Sequence, residues 1–407
     1  MAIFEEKTIK PITVILILAA IFVFSYSLWH LGARELFWDE GNVATAIREL
    51  TVFPPAITLH GELSQSQYPL YPMLCKGFQM LTGASVEFSL RFVSVFFMAV
   101  LVALVGFNCY RADGIQAGAA GATVMLTSAI VAEKSIEGYP QTMVAAILYA
   151  GWILWIYLPL EKRRRELAWL SAGLFAGLAF YAAGFTGLIY FILPLIIQSR
   201  PLNMQLKMNL WSFWAAIGIL LFFMMLWFVP RWQYSDLFLF ADGVSQQNIA
   251  DILKGYAAFP FRVLLGLFPW CFMLWAPFCS ALQPLERNPL LNRYFTRLFV
   301  VLFVLIWLNP ATLSRDILYL MPLLSSLIGL KYWIVVRRHG YRFLSFFSFL
   351  TWINMFLAVL AASLYFLPAD LIDYIPFADG ATFVKLQKMP GMAIALCGIV
   401  LSFLISG

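Results

Sequence analysis

Charged side chains are scarce in this sequence: Asp, Glu, Lys and Arg make up 12% of its 407 residues, against 62% hydrophobic. A soluble domain carries about 25% charged residues, so this shortage, with a mean hydropathy of +0.83, excludes water as the main solvent of the fold. Histidine is nearly missing, with His30, His60 and His339 far apart, and the five cysteines (Cys75, Cys109, Cys271, Cys279, Cys397) form no CxxC pair. Neither a disulfide framework nor a zinc centre is indicated, and the cysteines read as small buried hydrophobes. No P-loop or soluble Rossmann pattern occurs, so a soluble nucleotide-binding fold is not indicated. The net charge of +6 comes from short clusters between apolar runs. No long basic stripe exists, and nucleic acid is not an expected partner. Internal repeats and low-complexity tracts are also absent, and no soluble C-terminal domain is expected.

What the chain has in abundance is apolar runs. A helix needs roughly 20 residues to cross the hydrocarbon core, which leaves room for about a dozen spans. Helices are expected at 12–31, 88–109, 115–132, 141–160, 167–183, 185–198, 209–230, 263–283, 298–309, 317–333, 343–367 and 391–407. The stretch from Leu167 to Gln198 is too long for one ordinary span, and Ala182-Ala183-Gly184-Phe185-Thr186-Gly187 offers a turn in its middle. A helical hairpin is predicted there. The first run is too long for a signal h-region and lacks a clear cleavage site, so it is expected to be retained. The expectation is an all-α, polytopic transmembrane bundle forming a single domain over 1–407, in contact with membrane lipids throughout.

Alternating the spans from a cytoplasmic N-terminus gathers Lys7, Lys10, Arg111, Lys162 to Arg165, Arg200, Lys207, Arg287, Arg293, Arg297, Lys331, Arg337, Arg338 and Arg342 on one side. That is most of the 27 basic residues, as the positive-inside rule requires of the cytoplasmic face. Three substantial stretches then lie outside the cytoplasm: 32–87, 231–262 and 368–390. In the first, Val43, Ala46, Ile47 and Leu50 recur at helical spacing opposite Asn42, Arg48 and Glu49, predicting a short amphipathic helix on the membrane surface. Tyr68 to Leu81 predicts a second interfacial segment, ending at Thr82-Gly83.

Asp39 and Glu40 open the first of these helices, directly after Trp38. One reading makes Asp39 a helix cap and Glu40 a first-turn acid favoured by the helix dipole. The other makes a carboxylate at the membrane surface a general base toward an acceptor hydroxyl. The two are compatible. The candidate cations are equally two-sided. Arg91 and Lys76 lie beside apolar segments where such side chains snorkel; Glu133, Lys134 and Glu137 bracket a short turn and can be simply solvated; Arg315-Asp316 can be a local ion pair.

Taken in order, these residues resemble the GT-C membrane glycosyltransferases, in the branch that holds lipid A aminoarabinose transferase and the protein O-mannosyltransferases. The resemblance is carried by Trp38-Asp39-Glu40 through Ile47-Arg48-Glu49-Leu50, by Tyr68-Pro69-Leu70-Tyr71, and by Ser89-Leu90-Arg91-Phe92. It continues through the glycine-rich stretch from Gly173 to Pro194, Leu267-Phe268-Pro269-Trp270, and Ser314-Arg315-Asp316 through Tyr319-Leu320-Met321-Pro322. It covers residues 12 to about 333. Such enzymes take a sugar from a polyprenyl-phosphate carrier and pass it to a lipid, glycan or protein acceptor on the non-cytoplasmic face.

The resemblance implies an inverting transferase in a cell envelope, with the bacterial inner membrane as the expected location. Asp39 would be the catalytic base and Glu40 the neighbour that positions it. Arg315, with Arg91, Lys76 and Lys134 behind it, would hold the donor phosphate, whose developing charge calls for fixed cations. Tyr68, Tyr71, Glu137 and Tyr319 are assigned to substrate binding. No metal-binding cluster accompanies Asp39-Glu40, which argues against a divalent metal.

The sequence also departs from the family pattern. Val43 replaces a Tyr, Gln67 a basic residue, Gln141 a carboxylate, and Ala183 a cation in the hairpin turn. These losses motivate a rival reading, a catalytically inactive relative acting as a scaffold or partner in an envelope-glycan complex. A transporter, which would carry intramembrane charges in broken, symmetric helices, is a distant third.

Overall fold

A computed structural model of the chain describes residues 31, 36, 38–51, 58–59, 62–63, 68–161, 165–197, 210–229, 249–309 and 314–366; for Trp38 and Asp39 it describes the backbone alone. The expected spans at 12–31 and 391–407, the expected loop at 368–390 and residues 231–248 of the expected loop at 231–262 lie outside these residues; the rest of that loop, 249–262, is helical. The chain divides into two units, residues 1–334 and 335–407.

The first unit opens with α1 (Trp38–Glu49) and a two-residue antiparallel ladder, β1 (Thr58–Leu59) with β2 (Glu62–Leu63). The sequence had given no sign of that ladder. There follow α2 (Leu70–Thr82), α3 (Val86–Asp113), α4 (Ile115–Thr127), α5 (Ala129–Lys134), α6 (Gln141–Glu161), α7 (Arg165–Ile197), α8 (Trp211–Phe228), α9 (Ile249–Gly266) and α10 (Pro289–Leu308). A short 3-10 turn, Ser314–Tyr319, leads into α11 (Met321–Phe366), whose first residues complete this unit. The second unit is described only as the continuation of α11 to Phe366, with a backbone break at His339.

Local chemistry accounts for the boundaries. Gly83 ends α2 in the left-handed conformation (φ 68°), its N–H bonded to the Gln79 carbonyl. The Ser85 hydroxyl then caps α3 by accepting the Phe88 N–H at 3.2 Å. Five helices are long and apolar enough to cross a membrane, or six when a bent pair is counted as one, among the described residues. The chain is an integral membrane protein. α6 is the central helix, with 72% of its apolar window buried, whereas α8 has only 17% buried and turns Trp211, Trp214, Phe222 and Met225 outward. In hydrocarbon such an outward face is stable, because lipid tails are as apolar as the side chains.

The predicted hairpin is present. The backbone breaks at Gly184 (φ 64°, ψ −147°). A Cβ built on Gly151 of α6 would touch both Phe191 at 2.4 Å and Phe175 at 2.8 Å. Those two residues would be about 24 Å apart in a continuous helix, so the two arms of α7 fold back on one another.

The expected helix at 263–283 is not formed. α9 ends at Gly266 and the chain bends by 100° into 3-10 turns at Trp270–Met273, Ala276–Phe278 and Ser280–Leu285. Pro269, Pro277 and Pro284 recur there, each lacking a backbone donor and clashing with the preceding turn, so an unbroken α-helix through all three is strongly disfavoured.

Several buried polar groups inside the bundle are paired. Asn108 joins Tyr149 and Tyr157, at 2.9 Å each, and Tyr149 bonds Ser326 of α11. Lys331 is fully buried against Glu286. Such bonds hold helices together where no hydrophobic driving force exists between them.

Candidate active site

Glu40 sets the position of α1. It is fully buried, and its carboxylate takes both edges of the Arg91 guanidinium from α3: Oε2 to Nη2 at 2.8 Å and Oε1 to Nε at 3.3 Å. Oε1 also accepts the Gly138 N–H at 2.7 Å, and Arg91 Nη1 reaches the Leu31 carbonyl at 2.8 Å. Two parallel charge-assisted bonds fix orientation as well as distance. The helix that begins Trp38-Asp39-Glu40 is thereby tied to α3 and to the turn before α6.

That turn has a second tether. The Ser94 hydroxyl bonds both the N–H and the carbonyl of Tyr139, at 3.2 and 3.0 Å, and also meets the Tyr71 hydroxyl at 2.8 Å. Tyr71 donates to the Leu90 carbonyl at 2.5 Å. Burial pushes the Tyr71 phenol well above its ordinary range, so it stays protonated. With Tyr139 held in this way, its ring supports the Arg315 guanidinium, centred 4.2 Å above it. A continuous path of contacts thus runs from Glu40 through Gly138 and Tyr139 to Arg315.

Arg315 lines a cavity of about 310 Å³, a size suited to a small ligand. Asn42 and Val43 of α1 form one wall. These residues stand three and four positions after Asp39, on the same side of the helix and one turn away. Tyr68, Tyr71 and Pro72 come from the start of α2, Tyr139 to Gln141 from the approach to α6, Ala182 and Ala183 from the hairpin, and Tyr319 from the 3-10 turn.

Of the residues expected to bind substrate, Tyr68, Tyr71 and Tyr319 line this cavity and Glu137 does not. Of the expected phosphate-binding cations, Arg315 alone lines it. Arg91 is turned away because a buried guanidinium requires a carboxylate, and Glu40 supplies it. Lys76 donates to the Leu50 carbonyl at 2.6 Å and the Arg48 carbonyl at 3.5 Å, where it neutralises the C-terminal end of α1. Lys134 pairs with Glu137 at 2.8 Å and Glu133 at 2.9 Å. Burial works against its charge, but the two carboxylates outweigh that and hold its ammonium above the ordinary lysine range. The side chain of Asp39 lies outside the described part of the structure. Lys76→Met is expected to lower stability by about 1 kcal/mol or less and to leave affinity for a lipid phosphate unchanged, as paired melting and binding measurements would show.

Asn42, Gly138 and Ser94 were not legible as site residues. Asn42 carried a signal, standing one turn after Asp39, whereas Gly138 and Ser94 act through a backbone N–H and a buried hydroxyl that leave no pattern in sequence.

The hairpin turn shapes the far wall. A Cβ on Gly184 would fall 1.9 Å from the Tyr68 hydroxyl, and the Tyr68 ring stacks on Trp227 with centroids 5.8 Å apart. Gly184→Ala would meet both this clash and a backbone region essentially confined to glycine, which alone costs about 1–3 kcal/mol. The expected result is a lowered melting temperature with loss of ligand binding in whatever protein remains folded.

No protein family model matches the chain. It is 24% identical over 326 residues to undecaprenyl phosphate-alpha-4-amino-4-deoxy-L-arabinose arabinosyl transferase 2 of Proteus mirabilis (strain HI4320). That alignment takes in 77% of this chain and 57% of the relative, so the chain spans little more than half the relative's length. Two crystal structures of ArnT from Cupriavidus metallidurans match it with a TM-score of 0.70 over 97% of this chain and 72% of theirs. One, at 16% identity, is bound to undecaprenyl phosphate; the other, at 15%, is in the apo state. The likeness shows the fold: this chain has the polytopic helical architecture of those two structures.

Proposed function

We propose that the chain is an inverting glycosyltransferase that moves one sugar from a polyprenyl-phosphate donor to a lipid, glycan or protein acceptor on the non-cytoplasmic face of a bacterial inner membrane. The observation that carries this reading is the cavity that Arg315, braced on the Tyr139 ring, lines together with Asn42 and Val43 of the helix turn that follows Asp39. The likeness to a transferase named for an undecaprenyl-phosphate sugar, and to a fold seen with undecaprenyl phosphate bound, supports the choice of donor. The distribution of basic residues along the sequence supports the orientation.

In the proposed reaction the Asp39 carboxylate takes the proton from the acceptor hydroxyl as its oxygen attacks the anomeric carbon. Attack comes from the side opposite the phosphate, so a new C–O bond forms as the old one breaks and the configuration inverts. The bonding pair leaves on the polyprenyl phosphate, and Arg315 stabilises the charge that develops there. Glu40, held by Arg91 and the Gly138 N–H, keeps α1 and therefore Asp39 in register with Arg315.

The test is transfer of radiolabelled sugar from undecaprenyl-phosphate donors to an envelope lipid extract by the purified chain in nanodiscs. Arg315→Leu is expected to lower kcat/KM at least about 100-fold, and Arg315→Lys to recover only part of that, since a lysine cannot bond two phosphate oxygens in one plane. Transfer by Arg315→Leu at the wild-type rate would remove Arg315 from the donor site.

A further inference from the structure

The cavity wall contains one group that the proposed reaction does not use. Gln141, the first residue of α6, lines the cavity, and its side-chain Oε1 is shut off from solvent with no hydrogen-bond partner among the described residues. Buried amide oxygens are nearly always bonded, because leaving one unsatisfied forfeits the hydration it enjoyed in the unfolded chain. The terminal torsion of a glutamine is soft, so a small rotation turns this oxygen toward an arriving donor.

The neighbours decide which donor fits. Arg315 has N–H groups and no acceptor, so it takes the anionic end of a ligand. The Tyr71 hydroxyl is already committed to the Leu90 carbonyl and Ser94. Gln141 Oε1 is therefore the available acceptor on the α6 side of the cavity. It is a neutral one, and no carboxylate stands among the described lining residues. A sugar hydroxyl would satisfy it in full. An ammonium would also bond to it, but this neutral oxygen would bring it no counter-charge, and the Arg315 cation lines the same cavity.

We propose that Gln141 is a specificity-determining residue of the donor site, accepting a hydrogen bond from the transferred sugar, and that this sugar carries a neutral hydroxyl at the position that meets it. The proposal rests on the glycosyltransferase reading and names the substrate class of that site.

Binding separates the two. Affinities of the purified chain in nanodiscs would be measured for undecaprenyl phosphate alone, for undecaprenyl phosphate bearing a neutral pentose, and for the matching 4-amino-4-deoxy pentose. The neutral sugar is expected to bind about tenfold more tightly than the amino sugar, because the neutral amide oxygen leaves a desolvated ammonium without a counter-charge. Gln141→Leu is expected to weaken binding of the neutral sugar about tenfold while binding undecaprenyl phosphate as before, and Gln141→Glu to reverse the preference toward the amino sugar. Wild-type preference for the amino sugar, or a preference unchanged in both variants, overturns the assignment of Gln141 and leaves the glycosyltransferase reading standing. Failure of the wild-type chain to bind undecaprenyl phosphate at all overturns both.

Discussion

Asp39→Asn is expected to abolish sugar transfer while leaving the chain folded. A positioned general base contributes about 100- to 10,000-fold, and an amide cannot accept the acceptor's proton, so the rate should fall into that range or below detection. The helix would survive. Asp39 lies in the first turn of α1, where replacing a carboxylate by a neutral amide forgoes about 0.3–1 kcal/mol of interaction with the helix dipole. The same substitution therefore separates the two readings of this residue. If Asp39 served only to stabilise the helix start, Asn would trim the melting temperature slightly and leave transfer untouched. Transfer rate and thermal stability, measured on one preparation, distinguish these outcomes.

Breaking the pair beneath it should act on stability first. Arg91→Met leaves the Glu40 carboxylate buried without its cation, and Glu40→Leu strands the Arg91 guanidinium and removes the acceptor of the Gly138 N–H. Either single change is expected to cost about 3–5 kcal/mol, the usual penalty for leaving half of a buried ion pair. The double variant is the informative one. Replacing a buried pair by apolar groups is often nearly neutral, so Glu40→Leu with Arg91→Met should recover most of the lost stability. Transfer should remain low, because the bond from α1 to Gly138 is still missing and Asp39 is no longer held in register with Arg315. A double variant that is both stable and fully active would show that this tether has no part in positioning.

The four candidate cations show where sequence reasoning stopped. Arg315, Arg91, Lys76 and Lys134 look alike in sequence, each a basic residue beside an apolar segment. Their roles are set by the nearest acceptor: the Glu40 carboxylate for Arg91, the carbonyls ending α1 for Lys76, two neighbouring carboxylates for Lys134. Of these three, Lys134 is the one whose partners are close in sequence. Glu40 and Arg91 are separated by 51 residues, a pairing that periodicity cannot reveal. By contrast, α1 was legible as an amphipathic helix because Ala46, Ile47 and Leu50 are buried at the spacing that gives them one face. The reversal in α7 was legible because a small-residue run interrupts an apolar stretch too long for one span. The error at 263–283 came from weighing hydrophobicity above the three prolines, whose missing donors decide the backbone there.

The central claim, that Arg315 and the turn after Asp39 frame one donor site, is tested most directly by an experimental structure of the chain with undecaprenyl phosphate. The account predicts the phosphate within hydrogen-bonding distance of the Arg315 guanidinium, in the cavity beside Tyr139, with the Asp39 carboxylate facing the position of the anomeric carbon. A phosphate seated on Lys76 or Lys134, with the cavity at Arg315 left empty, would contradict it.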